Sequence, residues 1–133
     1  MTANPTLLTA APNSAELEQA ILGGILSDTN AISTALQVFG DANPFYLETP
    51  RKVYAACVQM YNTFRPIDLL TVSEELRKRG ELDKVGGTYQ LIEYTNRYEL
   101  AFGIYDVKVG LLLAVRTILI SRYVHNQRKF THC

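Results

Sequence analysis

The stretch PIDLLTVSEELRKRGELDKVGG, residues 66–87, decides the fold class. Arg65-Pro66 breaks whatever element precedes it. Thr71 and Glu74 stand at capping-box spacing, where a hydroxyl and a carboxylate satisfy the free amides of a helix start. Val72 and Leu76 then fall on one helical face. Arg77, Lys78 and Arg79 crowd the last turn, where cations meet the negative end of the helix dipole. Gly80 suits the stop, Leu82 and Val85 flank a charged turn, and Gly86-Gly87 is a second break. The pattern is a short capped helix between breakers, and no part of the chain shows sustained two-residue alternation. The fold class expected is all-α.

Toward the N-terminus the same signals repeat. Thr49-Pro50 reads as an N-cap followed by proline at the first helical position, with Val53, Tyr54, Cys57, Met60 and Tyr61 on one side of that helix. Cys57 on this stripe reads as a core thiol. Phe45 and Tyr46 are expected to anchor the loop before it. Asn30 suits the cap of a short helix carrying Ile32, Leu36 and Phe39, with Gly40 at its left-handed stop. Asn13 with Glu16 resembles a capping box for a first helix whose stripe is Leu17, Ile21, Leu22, Ile25 and Leu26. Gly23 and Gly24 weaken that helix by about 1 kcal/mol each relative to alanine, which a close approach of another helix would explain. Residues 1–12, with Pro5 and Pro12, read as a flexible leader.

Toward the C-terminus, Thr88 suits the start of a helix bearing Tyr89, Leu91, Ile92 and Tyr94. A last helix is expected from about Gly103 to about Gln127. Val107, Leu111, Val115 and Ile118 make one stripe, but Val109, Leu112, Leu113, Leu119 and Ile120 cover much of the rest. A helix that is apolar nearly all round needs two covering surfaces. The architecture expected is a small helical bundle (13–97) followed by a long apolar helix with a basic tail (98–133), the first half of a helical hairpin. Leu112, Leu113 and Leu119 are the residues expected at an oligomer interface.

The chain has 133 residues, 47% hydrophobic and 20% charged, with no net charge. That suits one compact domain with its own core and excludes disorder. The zero net charge hides a gradient: residues 1–50 carry −5, 51–107 carry 0 and 108–133 carry +5. The basic end reads either as an arm for an acidic or phosphate partner or as a solvated helix screened by salt. The neutral balance argues against strong direct DNA binding. The longest run of the last helix without charge, Val109 to Val115, is seven residues, far short of the roughly 20 a membrane span requires. No Lys or Arg precedes Arg51, so the start lacks a basic signal-peptide region. Cys57 and Cys133 make no disulfide framework. A cytoplasmic protein is expected.

Catalytic chemistry is not expected. The pattern G-x-x-x-x-G-K-[ST] occurs nowhere, so the loop that cradles nucleotide phosphates is missing from this sequence. His125, His132 and Cys133 match no closed zinc spacing. Glu74-Glu75 and Glu81/Asp83 read as solvated charges. No catalytic, cofactor-binding or metal residue is therefore assigned.

Two segments carry a specific resemblance. Residues 12–24, PNSAELEQAILGG, and residues 66–87 together resemble the N-terminal domain of DnaB-type replicative DNA helicases. Phe45-Tyr46 ahead of Arg51-Lys52-Val53-Tyr54 fits the middle of the same domain. The resemblance covers roughly residues 12–97. It implies a helical bundle followed by a helical hairpin, with hairpins pairing between subunits into a collar on a hexameric ring. It implies work in DNA replication as a non-catalytic assembly domain, in self-association or with helicase subunits. It further implies docking of a DnaG-type primase, as in a primosome, and an effect on helicase loader binding. ATP, Mg and strand translocation belong in that family to a separate RecA-like motor domain, and this sequence contains none of it. Two alternatives stand beside this reading: a piece of a full ATP-dependent helicase, and a stand-alone regulator of helicase assembly. After Asn96 the chain departs from the family pattern, reading ELAFGIY over 99–105 and GLLLAV over 110–115.

Overall fold

The computed structural model describes residues 15–40 and 43–103, together with 110, 112, 113, 116 and 117. Five helices are complete: α1 (Ala15–Ser27), α2 (Ala31–Phe39), α3 (Glu48–Asn62), α4 (Leu69–Lys78) and α5 (Gly87–Phe102). No strand occurs among the described residues, as expected of an all-α chain. The five further residues, between 110 and 117, are helical too. Asn13, Leu119, His125, His132 and Cys133, which figured in the sequence expectations, lie outside the described residues.

The centre of the bundle is α1. Every residue from Ala20 to Leu26 is buried, as are Leu17 and Glu18. It packs most extensively along α5 and also touches α2, α3 and α4. The helix covered on all sides among the described residues is therefore the first one. Its glycines explain how. A Cβ on Gly23 would collide with the Tyr94 carbonyl and lie 2.8 Å from the Tyr98 Cβ. The close approach expected for this glycine is the contact between α1 and α5, and it outweighs the loss of helix propensity.

Around α1, the core collects Ile32 and Ala35 from α2, Val53, Tyr54, Cys57 and Met60 from α3, Val72 and Leu76 from α4, and Leu91 and Tyr94 from α5. Phe45 is inserted among them, with its ring 5.1 Å from that of Tyr54, and Phe39 meets Tyr54 edge-on at 6.3 Å. Such tilted and edge contacts suit the quadrupoles of the rings.

Several local expectations are corrected. The start of α4 is Asp68: its carboxylate accepts the Thr71 amide at 2.9 Å, and the Thr71 hydroxyl accepts the Asp68 amide at 3.0 Å. Thr71 is thus the last residue of the capping box and not its first, and Glu74 pairs with Arg77 instead. Helix α3 begins two residues before Pro50, which still sits in the first turn where its missing N–H costs no helical bond. Asn30 occupies its cap position without a side-chain bond, and Asp28 receives the Asn30 amide at 2.8 Å. Gly40 does take a positive φ of 69°. Tyr46 and Tyr61 were expected inside and are exposed, and of the residues expected on α5, Tyr89 and Ile92 are exposed too. The buried stripe of α5 is instead Leu91, Tyr94 and Tyr98.

Candidate assembly surface

Three features of the bundle bear on what it can do: how its loops are held, which cations are tied up, and which apolar side chains are left outside.

The loop before α3 is held by a buried carboxylate. Glu18, on α1, accepts the Tyr46 amide at 2.9 Å and the Leu47 amide at 3.3 Å, one on each oxygen. The Arg51 Nε donates to the Phe45 carbonyl at 3.0 Å, and Asn43 donates to the Arg51 carbonyl at 3.0 Å. The sequence offered a signal for this in hindsight. Glu18 stands three and four positions before Ile21 and Leu22, on the helix face that the apolar pattern marks for burial.

A second buried acid joins α3 and α4. Glu75 accepts from the Arg79 Nε at 3.0 Å and pairs with Arg65 at 2.8 Å. These guanidinium bonds, that of Arg79 foremost, hold its carboxyl below the usual carboxylate range. Arg79 also donates to the Gln59 side chain on α3. Glu75 was expected to be solvated with Glu74. Instead it is the ionic link that ties the end of α3 to α4, while Glu74 stays on the surface. Glu81 likewise pairs with Lys52 at 3.3 Å.

Among the described residues no group of three His, Cys, Asp or Glu side chains stands close enough to hold a metal ion. Cys57 is fully buried, and burial pushes its thiol up to about 12. No helix of the described residues is long and apolar enough to cross a membrane.

Several large apolar side chains are also left on the surface. Leu112 is 40% exposed and Leu113 is partly buried, on the helical residues that follow α5. This helical turn is seated by Gly110, where a Cβ would strike the Tyr98 hydroxyl and lie 3.1 Å from the Phe102 Cβ. The Thr117 hydroxyl donates to the Leu113 carbonyl at 2.8 Å, four residues back, as in an α-helix. On α5 itself Leu100 is 89% exposed, and Tyr89 and Ile92 are exposed farther up. Phe64, in the turn after α3, is more exposed than any of them.

A helical bundle of this kind has a known counterpart. The family described as DnaB-like helicase N terminal domain matches residues 10–106. The chain belongs to that family. The DnaB-like fold is seen directly in the crystal structure of the N-terminal domain of DnaB helicase from Mycobacterium tuberculosis. That structure superimposes with a TM-score of 0.68 at 26% identity, covering 91% of this chain and 85% of that one. Full-length relatives include the replicative DNA helicase DnaB of Rhodothermus marinus, 36% identical over 118 residues, which are 84% of this chain and 12% of the relative. The DnaB of Haemophilus influenzae is 38% identical over 94 residues, 70% of this chain and 20% of the relative. The chain thus spans between about an eighth and a fifth of these two DnaB helicases.

Proposed function

We propose that this chain is a non-catalytic assembly domain of a replicative DNA helicase, working in DNA replication through protein contacts. The observation that carries the reading is the family match over residues 10–106, on relatives named replicative DNA helicases. Its work is ring oligomerisation with copies of itself or with helicase subunits, and docking of a DnaG-type primase or a helicase loader. Leu112, Leu113 and Leu119 form the pairing face. The exposure of Leu112 beside α5 supports that placement. ATP and Mg act on the motor of the full-length relatives, and the cytoplasm is the compartment where such a helicase works.

The test is sedimentation of the full chain and of the Leu112→Asp/Leu113→Asp double variant. The expected result is an oligomer for the parent and a folded monomer for the variant, since charge on a desolvated apolar patch abolishes pairing. An unchanged oligomer overturns the pairing face. Titration with a DnaG-type primase then tests the docking role, and no binding by the parent chain removes it.

A second reading, in which the domain serves within an ATP-dependent helicase that carries its own motor, is favoured by the small share of each relative that the chain spans. An immunoblot of the endogenous polypeptide with an antibody to residues 60–90 separates the two by size.

A further inference from the structure

Helix α5 has apolar side chains on two opposite sides. Successive residues of a helix turn by about 100°. Leu91, Tyr94 and Tyr98 therefore share one side, and all three are buried in the bundle. Tyr89, Ile92, Asn96 and Leu100 share the opposite side, and all four are exposed, Tyr89 at 70% and Leu100 at 89%. Among the described residues nothing covers this outer stripe. Helix α1 meets α5 at Tyr94 and Tyr98, and the helical turn that carries Leu112 is seated by Gly110 against Tyr98 and Phe102, again away from the stripe. The solvent side of an amphipathic helix is ordinarily polar. Here a tyrosine, an isoleucine and a leucine stand in line along about 16 Å of it.

The edge of the stripe carries one charge of each sign. Glu93 and Arg97 are one turn apart on the same edge. Among the described residues Glu93 forms no ion pair, and Arg97 meets Glu16 at a long 3.8 Å. Two copies of this helix complement each other when they run antiparallel, because the same edge of both then meets. With a twofold axis crossing between Thr95 and Asn96, Ile92 of one copy lies level with Leu100 of the second copy, and Glu93 with Arg97 of the second copy. Each match holds to within one residue rise, about 1.5 Å, and the symmetry makes each of them twice. Asn96 falls next to the axis, where a polar side chain in an apolar seam fixes the register.

We propose that a second copy of this chain covers the stripe, paired antiparallel along α5. This contact rests on the reading that the domain assembles with itself, and it lies on the side of α5 away from the turn that carries Leu112 and Leu113. A single helix stripe is a small interface, of the kind that holds weak partners, so association is read at high protein concentration.

The experiment is sedimentation equilibrium of the full chain over a wide range of concentrations. Leu100→Asp, at a side chain that the fold leaves outside, should weaken self-association at least tenfold with the helical circular dichroism unchanged. Glu93→Arg and Arg97→Glu chains should each associate less than the parent when alone, since each then meets its own copy with like charges, and should pair with one another when mixed. Leu100→Asp that associates as the parent does overturns the proposal, and so does a mixture that associates no better than its two components. If Leu112→Asp/Leu113→Asp dissociates the parent while Leu100→Asp does not, assembly stands and this contact falls. If the parent is monomeric at all concentrations, both fall.

Discussion

Gly23 of α1 lies so close to the backbone carbonyl of Tyr94 on α5 that a methyl group at this position has no room. The neighbour is main chain inside a helix and cannot rotate away as a side chain would. Gly23→Ala should therefore destabilise the bundle by about 2 kcal/mol, the cost of overpacking winning over the roughly 1 kcal/mol that alanine gains in helix propensity. Urea unfolding followed by circular dichroism measures this. A variant as stable as the parent would show that α1 and α5 separate at little cost.

Glu18 holds two amides of the chain segment ahead of α3. Glu18→Leu keeps the apolar volume but leaves the Tyr46 and Leu47 amides without their acceptor. Unmet buried groups cost about 1–3 kcal/mol each, so the loss should exceed that of a typical surface change. Amide exchange at Tyr46 and Leu47, read by NMR, should accelerate first in this variant.

The acid limb of stability should depend on Glu75. Its carboxyl is held below the ordinary 4.5 by the guanidinium of Arg79 and then by that of Arg65, against the opposing effect of burial. A group depressed in the folded state contributes stability above its unfolded value and loses it as pH falls through its folded value. The difference between the parent and Glu75→Gln should therefore be largest near neutral pH and shrink below about pH 4.5. Denaturant midpoints taken from neutral pH down to pH 3 test this, and a constant difference would contradict it.

The alkaline limb has the opposite sign. Burial pushes Cys57 from 9.0 to about 12, and pushes Tyr54 and Tyr94 from 10.0 to about 12. The Cys57 thiol adds to the shift at Tyr54, and the Glu18 carboxylate adds to that at Tyr94. Among the described residues the Tyr54 hydroxyl also has no hydrogen-bond partner. Raised values confer stability that is complete below the unfolded values and disappears as pH rises through the folded ones. Unfolding should thus be promoted between about pH 9 and 12, with the part of the tyrosinate absorbance that a Tyr54→Phe/Tyr94→Phe variant lacks appearing together with loss of helix. That part appearing well ahead of unfolding would show these two rings to be open to solvent. Cys57 should also resist thiol reagents at neutral pH for as long as the bundle is folded.

The helices were legible in the sequence because their apolar spacing is local. Val53, Tyr54, Cys57 and Met60 stand one turn apart and are all buried. Gly23 was legible as a contact because nothing else justifies glycine inside that stripe. The helix starts were less so. Asp68 and Thr71 compete with Thr71 and Glu74 for the same motif, and only the path of the chain around Ile67 selects the first pair. No face of α5 was assigned among Tyr89, Leu91, Ile92 and Tyr94, since an aromatic or a branched side chain signals burial equally well on either side of a helix; Tyr89 and Ile92 are the exposed ones. The buried roles of Glu18 and Glu75 were not read from the sequence, although the place of Glu18 on the apolar stripe was a signal for the first. Each depends on partners 28 and 10 positions away, Tyr46 and Arg65, and carboxylates read in isolation look solvated. The apolar composition around Leu112 was legible, and Leu112 is exposed, whereas the exposure of Phe64 after α3 left no trace in the residue pattern.

The double seating of α5 has a consequence for how the domain opens. Gly23 closes one flank along Tyr94 and Tyr98, and Gly110 closes the chain beyond it against Tyr98 and Phe102. A helix wedged between two glycine contacts cannot fray inward one turn at a time without prising apart both neighbours. Its middle turns should therefore be the last part of the protein to exchange their amide hydrogens, released only when the whole bundle comes undone.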